Sequence, residues 1–508
     1  MLLTEVKQRQ CQDFFRILED HRESVTFSEV RLRSGYSEVH PNDVSVKSRF
    51  SRNVPVHIPI VSAAMSTVTE SRLAIRHAKC GGIGVLHRGA SAKWQGDEAR
   101  RVKYNLSGKI VQPIWVRDDM TLEEVENMRR EKRFSFHSFP VLDAQGKLVG
   151  LITETDFDFG NPSQRIADVM TRDLIAAHPS TTINEAYAIM LEHKKKVLPL
   201  VDGCSLAGMY LFSDLKRIKS GTSEMLNVDD QGRLRVAAAV GVHDDALARL
   251  EALRGFVDAL VIDTAHGDSE DVFQTLRELK RASGTIDVVA GNVSEGASAR
   301  RLVECGADGV KVGQGPGSIC TTRVVAGIGN PQVSAVYSVA KALEEMGRAD
   351  VPICADGGIE YSGDIPIAIG AGAHTVMLGK LLARTEEAPG EVISRNGVAM
   401  KYYYGMGSLR AMEESDASRE RYHEAATRKD NMVPEGVEGA VPFAGKLAAV
   451  LHQLVGGLRR GMGYVGAATI AELRQKADFN RISAAGYEES KPHGIYLLRD
   501  APNWTREE

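Results

Sequence analysis

A thiol surrounded by hydroxyls and a cation is the strongest chemical signal in this chain. Residues 318–323 read Ser-Ile-Cys-Thr-Thr-Arg and follow a loop in which Gly313, Gly315 and Gly317 occupy alternate positions. Alternating glycines permit positive φ angles and let a ligand approach the backbone closely. A lone cysteine is often only a small buried hydrophobic residue, but the glycines before it and the polar residues after it favour a nucleophile here. Cys320 is therefore the candidate for nucleophilic catalysis.

Other polar groups follow apolar strand patterns elsewhere in the chain. Asp356 with two glycines after it, and Gly379, end two successive strand patterns. Backbone N–H groups at such strand ends commonly hold phosphate, and a carboxylate beside them can take the two hydroxyls of a ribose. Together with Cys320 they predict a site for a nucleoside monophosphate whose base reaches the thiol. Asp263 and Asn292 end two further strand patterns and are candidates to hold a second ligand. No GxGxxG follows a strand, so a dinucleotide would bind at the same mouth.

The elements that must position these residues alternate between strand and helix patterns. Eight parallel βα units make a TIM barrel, with its active site at the carboxyl ends of the strands. We predict an α/β fold of this type, with residues 1–109 and 221–508 as its two parts. The eight apolar runs are 58–61, 82–86, 236–240, 259–262, 287–290, 309–312, 352–355 and 375–378.

An internal repeat interrupts the alternation after the second unit. Residues 112–160 and 172–217 each contain a Thr-rich helix start, an apolar strand, and a hairpin into a strand that leads to an Asp. A repeat of this kind predicts duplicated modules. It resembles a tandem pair of CBS domains, which are α+β modules that bind adenine or guanine nucleotides.

In that family the terminal Asp holds a ribose hydroxyl, which implies this role for Asp156 and Asp214. The alternative is that each Asp caps the helix that follows it. We predict an inserted domain over residues 110–220, with halves at about 112–168 and 170–220.

A long excursion at residues 385–440 follows the last strand of the barrel. It is too long for a barrel turn and too rich in charge and glycine for a core. Such an excursion beside an active-site mouth is typical of a lid, and we expect an active-site flap there.

The composition is that of an ordinary globular protein. A length of 508 residues predicts two or three domains, and a net charge of −4 gives no electrostatic case for a nucleic-acid or membrane partner. No apolar run reaches the roughly 18–20 residues of a transmembrane helix, and no signal peptide pattern is present at the start. The six cysteines lie far apart without a CxxC pair. Reduced thiols and a cytoplasmic location are therefore expected.

Several motifs, in their order and spacing, resemble the inosine-5′-monophosphate dehydrogenase family of bacterial type. They are GPGSICTTR, ADGGI, TEEAPGE, GMGSLRAM, RY and VPEGVEG, and the likeness extends from about residue 25 to residue 490. The resemblance implies NAD-dependent oxidation of inosine monophosphate to xanthosine monophosphate, a step of guanine nucleotide biosynthesis. In that reaction the thiolate of Cys320 would add to C2 of the purine, hydride would leave C2 for NAD, and water would release the product.

The resemblance also implies roles for individual residues. Arg421 and Tyr422 match the dyad that activates water, and Thr322 with Glu435 matches an alternative proton path. The implied cofactor contacts are Asp263, Gly313, Gln314 and Gly315. The implied nucleotide contacts are Ser318, Asp356, Gly358, Gly379, Lys380, Tyr403, Gly405, Met406, Gly407 and Glu435.

A monovalent-cation site and an assembly are implied as well. Gly315, Gly317 and the carbonyl group of Cys320 resemble half of a K⁺ site. The other half would be Glu489, Ser490 and Lys491 of a neighbouring subunit. This arrangement implies a homotetramer, with an octamer as the larger alternative.

Three single residues depart from the family pattern, as does the stretch RLRSGYS at residues 31–37, where an apolar version with proline is usual. Lys380 stands where a Ser beside the phosphate is usual, so its side chain either contacts the phosphate or blocks the site. Ser66 stands where an Asp is typical, and Tyr404 replaces the usual Arg before GMGS, which leans towards the pattern of guanosine-5′-monophosphate reductase. The alternatives are therefore an NADPH-dependent reductase of this kind and a weakly active nucleotide-sensing paralogue. Against the reductase, its members lack the Arg-Tyr dyad and usually read GMSS rather than GMGS.

Overall fold

The structure is a computed structural model of the chain, and it describes residues 12–105, 109–110, 113–131, 134, 136–219, 225–422, 431–496, 498 and 501–504. The chain divides into two compact units. The first comprises residues 1–103, 225–229 and 234–508, and the second comprises residues 104–224 and 230–233. Residues 111–112 and 220, at the ends of the predicted insertion, lie outside the described residues.

The first unit is built around eight short strands, whose continuous apolar sequences suit a parallel sheet covered on both faces. Every neighbouring pair is parallel, the order follows the chain, and pairing of the eighth strand with the first closes the barrel. The predicted TIM barrel is confirmed. The strands are β1 (Ile60–Ser62), β2 (Ile83–Leu86), β3 (Ala237–Val240), β4 (Ala259–Asp263), β5 (Asp287–Val293), β6 (Gly309–Val312), β7 (Ile353–Asp356) and β8 (Thr375–Leu378).

Alternate residues of these strands pack into one buried cluster, which is the core of the barrel. It includes Val61, Val85, Ala239 and Val261 from neighbouring strands. Cys354 belongs to the same cluster, and burial raises the pKa of its thiol to about 12. Cys354 is therefore a packing residue, because a thiol so hard to ionise is a poor nucleophile.

Amphipathic helices follow the strands. The helix Glu270–Ala282 has acidic residues in its first turn and basic residues in its last, which complements the helix dipole, and it buries Val272, Leu276 and Leu279 along one face. The helices that follow the strands are Ser71–Lys79, Ala92–Tyr104, His243–Leu253, Glu270–Ala282, Gly296–Glu304, Gln332–Glu345, Asp364–Gly370 and Lys380–Ala383.

Short elements from both ends of the chain complete this unit. Val30–Leu32 pairs with Phe479–Arg481, and Ser48–Ser51 pairs with Val54–Val56. The remaining elements are the 3-10 helix Phe27–Glu29, the short helix Thr322–Val325 after β6, and the helices Leu447–Val465, Ile470–Lys476 and Ala484–Glu489.

The excursion at residues 385–440 contains an antiparallel sheet of three strands, Val392–Arg395, Val398–Tyr404 and Glu438–Pro442, in that order. The helices Leu409–Glu414 and Asp416–Arg421 lie between the second and third strands. Residues 423–430 of the predicted flap lie outside the described residues.

The second unit contains two copies of one order of elements. Each copy has a helix, two antiparallel strands joined by a turn, and a second helix. Each copy has its own apolar core, one around Val125 and Phe139 and the other around Ala186 and Leu198. The elements are Lys109–Ile110, Val116–Arg117, Leu122–Glu131, Phe139–Leu142, Leu148–Ile152, Glu154–Phe159, Ile166–Val169, Ile183–Glu192, Val197–Asp202, Ser205–Leu211 and Phe212–Lys219. In the part of the chain that the structure describes, no helix is long and apolar enough to cross a membrane.

Candidate active site at the barrel mouth

One cavity opens at the carboxyl ends of the barrel strands and gathers most of the residues predicted from the sequence. Its walls come from the carboxyl ends of β4, β5, β6, β7 and β8, from the loops after β1, β4, β6, β7 and β8, and from the excursion. The predicted residues that line it are Asp263, Asn292, Gly313, Gln314, Gly315, Gly317, Ser318, Cys320, Thr322, Asp356, Gly358, Gly379, Lys380, Tyr403, Gly405, Met406, Arg421, Tyr422 and Glu435.

The cysteine loop lies beside a segment of the excursion, and the two share hydrogen bonds. The N–H of Thr321 donates to the carbonyl oxygen of Glu435 at 2.9 Å, and the N–H of Val437 donates to that of Ile319 at 3.0 Å. The Thr322 hydroxyl lies 3.2 Å from Cys320 Sγ and donates to Glu435 Oε2 at 2.6 Å. A thiol, a hydroxyl and a carboxylate thus form a continuous chain through which a proton can leave the sulfur.

A buried lysine organises the floor of the cavity, and we did not predict it from the sequence. Lys311 lies on β6 and is 2% exposed, and its Nζ contacts Asp263 Oδ1 at 2.9 Å, Asp356 Oδ2 at 2.6 Å and the amide oxygen of Asn292. Asn292 in turn donates to Asp356 Oδ2 at 2.9 Å and to the Gly313 carbonyl at 2.6 Å. A buried ammonium group needs compensating negative charge. Lys311 therefore pairs with both predicted aspartates, Asp263 and Asp356, and holds them close to each other. A lysine inside an apolar barrel strand was the signal in the sequence.

Asp263 has a second cationic partner from the excursion. Arg421 forms an ion pair with Asp263 Oδ2, and the two side chains are 14% and 5% exposed. Burial lowers the pKa of Arg421, and the neighbouring charge of Arg88 lowers it further, whereas Tyr422 opposes this shift. The predicted dyad member therefore lies in the cavity, where burial favours its neutral form and the ion pair with Asp263 favours its charged form.

Tyr422 fills a space that a glycine leaves open. Burial raises the pKa of Tyr422, and a side chain added at Gly407 would place its Cβ 2.7–3.0 Å from three ring atoms of Tyr422. Real Cβ atoms essentially never approach so closely. Gly407 does not itself line the cavity, and its place in the structure is behind the ring of Tyr422.

The predicted phosphate end is built from backbone groups and hydroxyls. Burial raises the pKa of Tyr403, whose hydroxyl bonds to the Ser318 side chain and the Lys380 backbone N–H. A Cβ on Gly379 would lie 2.7 Å from that hydroxyl, so a larger residue there would displace the hydroxyl of Tyr403. Gly358 has a φ of 81°, which also favours glycine.

The residues predicted for the second half of a cation site lie elsewhere in the chain. Glu489 ends the helix Ala484–Glu489, and Ser490 and Lys491 line a second cavity together with Pro316. Among the described residues, no group of three or more His, Cys, Asp or Glu side chains is placed to hold a metal ion.

The two aspartates predicted for nucleotide binding belong to the second unit. Asp156 Oδ2 accepts from the Thr153 N–H at 2.7 Å and from its hydroxyl at 3.0 Å, which is a helix-capping arrangement. Asp214 lies in the first turn of the helix Phe212–Lys219, where Leu211 stands in place of that threonine. The capping alternative is therefore realised for Asp156.

Fold and site together define a barrel protein with a cysteine loop opposed by a polar excursion. Residues 24–493 match the model of the IMP dehydrogenase / GMP reductase domain. The chain is 47% identical to an inosine-5′-monophosphate dehydrogenase from Aquifex aeolicus and 42% identical to one from Bacillus subtilis, in both cases over 95% of this chain and 98% of the relative. A crystal structure of GMP reductase from Trypanosoma brucei in complex with guanosine 5′-monophosphate superposes with a TM-score of 0.85 at 36% identity, over 93% of this chain and 98% of that one. The chain belongs to the IMP dehydrogenase / GMP reductase family.

Proposed function

We propose that this protein oxidises inosine monophosphate to xanthosine monophosphate with NAD, through a covalent bond between Cys320 and C2 of the purine. The names of the curated relatives support the substrate and the direction of the reaction. The arrangement of Cys320 in the cavity supports the covalent route, because a purine ring lying across the mouth can meet the sulfur.

The first chemical step needs a route for the thiol proton. The hydroxyl of Thr322 donates to Glu435, so its lone pairs remain free to accept from the thiol. Glu435 can therefore accept a proton from Cys320 through Thr322, which leaves a thiolate to attack C2. Splitting the substitution into addition and hydrolysis lowers the barrier of each step.

The cofactor end of the cavity fits a nicotinamide ribose. Asp263 offers a carboxylate, and Gly313 and Gly315 have φ angles of 147° and 74°, so their backbone can lie close to a ligand. When bound, NAD supplies the acceptor for the hydride that leaves C2. Arg421 and a ribose hydroxyl would then compete for Asp263, so the excursion must withdraw its arginine when the cofactor enters and return it afterwards.

The second step needs an activated water at the site that the cofactor vacates. Arg421 and Tyr422 reach the cavity from the same end of the helix Asp416–Arg421, and burial lowers the pKa of Arg421, which is the direction that taking a proton from water requires. An ordinary arginine could not do this at neutral pH. Asp263 would balance the charge of Arg421 while it is protonated.

The observation that carries the dehydrogenase reaction is the contact between Gly407 and Tyr422. Hydrolysis requires the dyad, and the dyad requires the space that Gly407 leaves open. The reductase pattern, with a serine at this position, would drive a side chain into the ring of Tyr422. The sequence GMGS and the presence of Arg421 thus belong to one device, which only a hydrolytic enzyme needs.

A monovalent cation and a tetramer form part of the proposal. Carbonyl oxygens of Gly315, Gly317 and Cys320 are suitable ligands for K⁺. We infer that Glu489, Ser490 and Lys491 of a neighbouring subunit complete the site in a homotetramer.

For the second unit we propose a CBS pair that binds adenine or guanine nucleotides through Asp156 and Asp214. The repeated order of elements with separate cores supports this reading. At Asp156 one carboxylate oxygen is already used in capping, so the ribose would bond the other. Calorimetric titration with ATP and GTP tests the assignment, because Asp156→Ala should abolish one binding event, and unchanged binding would contradict it.

A cofactor assay tests the catalytic proposal. With inosine monophosphate, NAD and K⁺, the absorbance of reduced cofactor should rise. Consumption of NADPH with guanosine monophosphate instead would indicate the reductase, whose sequence pattern Tyr404 matches. No activity in either assay would indicate the nucleotide-sensing paralogue.

A further inference from the structure

Two of the three single-residue departures from the family pattern contact each other. Ser66 lies in the loop after β1, and Tyr404 is the last residue of the strand Val398–Tyr404. The Ser66 hydroxyl donates to the hydroxyl of Tyr404 at 3.0 Å, and the Tyr404 hydroxyl lies 3.3 Å from Glu414 Oε2, to which it donates. We propose that this Ser66–Tyr404 tether is a positioning device that fixes the width of the nucleotide cavity.

The residues beside the tether explain why it would act on the cavity. Met65 precedes Ser66 and lines the cavity from the barrel side, while Tyr403 and Gly405 flank Tyr404 and line it from the excursion. One hydroxyl pair therefore joins two walls of the cavity that no barrel strand connects. Loss of the pair would leave Tyr403 held only by its strand pairing with Gly439 and by its bonds to Ser318 and Lys380, so its distance from Met65 would be less tightly fixed.

The side chains around Tyr404 keep its ring in place. Arg410 stacks over the ring with its guanidinium carbon 5.3 Å from the centroid, and it also bonds Glu414 Oε1 at 3.0 Å. Burial raises the pKa of Tyr404, so its hydroxyl keeps its proton at neutral pH. The tether is therefore a neutral hydrogen bond in which Tyr404 accepts from Ser66 and donates to Glu414.

The tether also accounts for both departures at once. An Asp at position 66 and an Arg at position 404 would be complementary in charge, whereas a Ser and a Tyr are complementary as neutral hydroxyls. A single change at either position would leave an unmatched partner in a partly buried place, which is costly. The two residues are thus expected to behave as a pair.

Nucleotide binding tests the tether without relying on turnover. In a Cys320→Ala background, inosine monophosphate and guanosine monophosphate are each titrated by calorimetry against Tyr404→Phe, Ser66→Ala and the double variant. Each single variant should weaken binding about three- to tenfold, the range expected for one hydrogen bond. The double variant should be no weaker than the worse single variant, because both remove the same bond. Tyr402→Phe is the matched control, since Tyr402 stacks on the same arginine but is 44% exposed.

A charged pair at the same two positions tests whether nucleotide binding can be restored. Ser66→Asp adds a carboxylate near that of Glu414 without a new cation, so it should weaken binding more than Ser66→Ala does, and adding Tyr404→Arg should recover most of the loss. Additive losses, no recovery, or an effect equal to that of Tyr402→Phe would overturn the tether. The proposal rests on the nucleotide site of the proposed function but not on the direction of the redox step, because binding of either nucleotide serves as the readout.

Discussion

A serine at position 407 should block the hydrolytic step while leaving hydride transfer intact. The new Cβ would lie 2.7–3.0 Å from three atoms of the Tyr422 ring, where ordinary contact begins near 3.4 Å. The ring must therefore shift by several tenths of an ångström or more, and Arg421 shifts with it. A misplacement approaching 1 Å costs about 100-fold in rate, or ~2.7 kcal/mol of barrier.

Rapid mixing of Gly407→Ser with inosine monophosphate and NAD should show a normal burst of reduced cofactor followed by turnover about 100-fold slower. Gly439→Ser is the matched control, because it makes the same change on the same excursion where the side chain meets open space. If both variants turn over at the same rate, or if the burst is lost together with turnover, contact between residue 407 and the Tyr422 ring does not control the hydrolytic step.

Three further changes give distinct outcomes. Cys320→Ala should abolish turnover and keep nucleotide binding in calorimetry, and residual near-normal turnover would rule out covalent catalysis. Glu420 lies on the helix that carries Arg421, and its 2.8 Å ion pair with the 4% exposed Arg88 helps to hold that helix in place. Glu420→Gln should therefore slow hydrolysis about tenfold, whereas the exposed Glu413→Gln should have no effect. Equal rates in the two variants would show that the ion pair does not position the helix. Burial lowers the pKa of His77 to about 3, whereas the unfolded chain binds that proton near pH 6.5. Between pH 7 and pH 5 the free energy of unfolding of the wild type should therefore fall by roughly 2 kcal/mol more than that of His77→Phe, as measured by urea unfolding. The same pH dependence in both proteins would contradict this.

The barrel could be predicted from the sequence because each of its strands is a short apolar run that ends in a polar loop. The boundaries were less exact, since β5 continues to Val293 and carries Asn292 within the strand. Pairing to both neighbours extends a strand beyond its apolar residues, and this depends on chain segments that a local pattern does not contain. The family could be predicted because its motifs keep their order over most of the chain.

The internal connections of the site could not be predicted in the same way. Lys311 was part of a strand pattern, and nothing local indicates that its ammonium group bridges Asp263 and Asp356. In the sequence, Ser66 and Tyr404 are two unrelated departures from the family pattern, and only the folded structure shows that their hydroxyls form a hydrogen bond. Contacts between residues far apart in the chain depend on the closure of the barrel and the path of the excursion.

Removal of the Arg421 side chain should separate the formation of a covalent purine adduct on Cys320 from the hydrolysis of that adduct. Arg421→Ala is mixed with inosine monophosphate and NAD, and the reduced cofactor and the mass of the peptide that contains Cys320 are followed together. We expect about one equivalent of reduced cofactor per active site, very slow turnover afterwards, and a purine nucleotide bonded to that peptide. Arg419→Ala, which removes the same charge from the same helix where it pairs with the exposed Asp416, should turn over normally without an adduct. Equal behaviour of the two variants, with no adduct in either, would mean that Arg421 has no part in the hydrolysis of an adduct on Cys320.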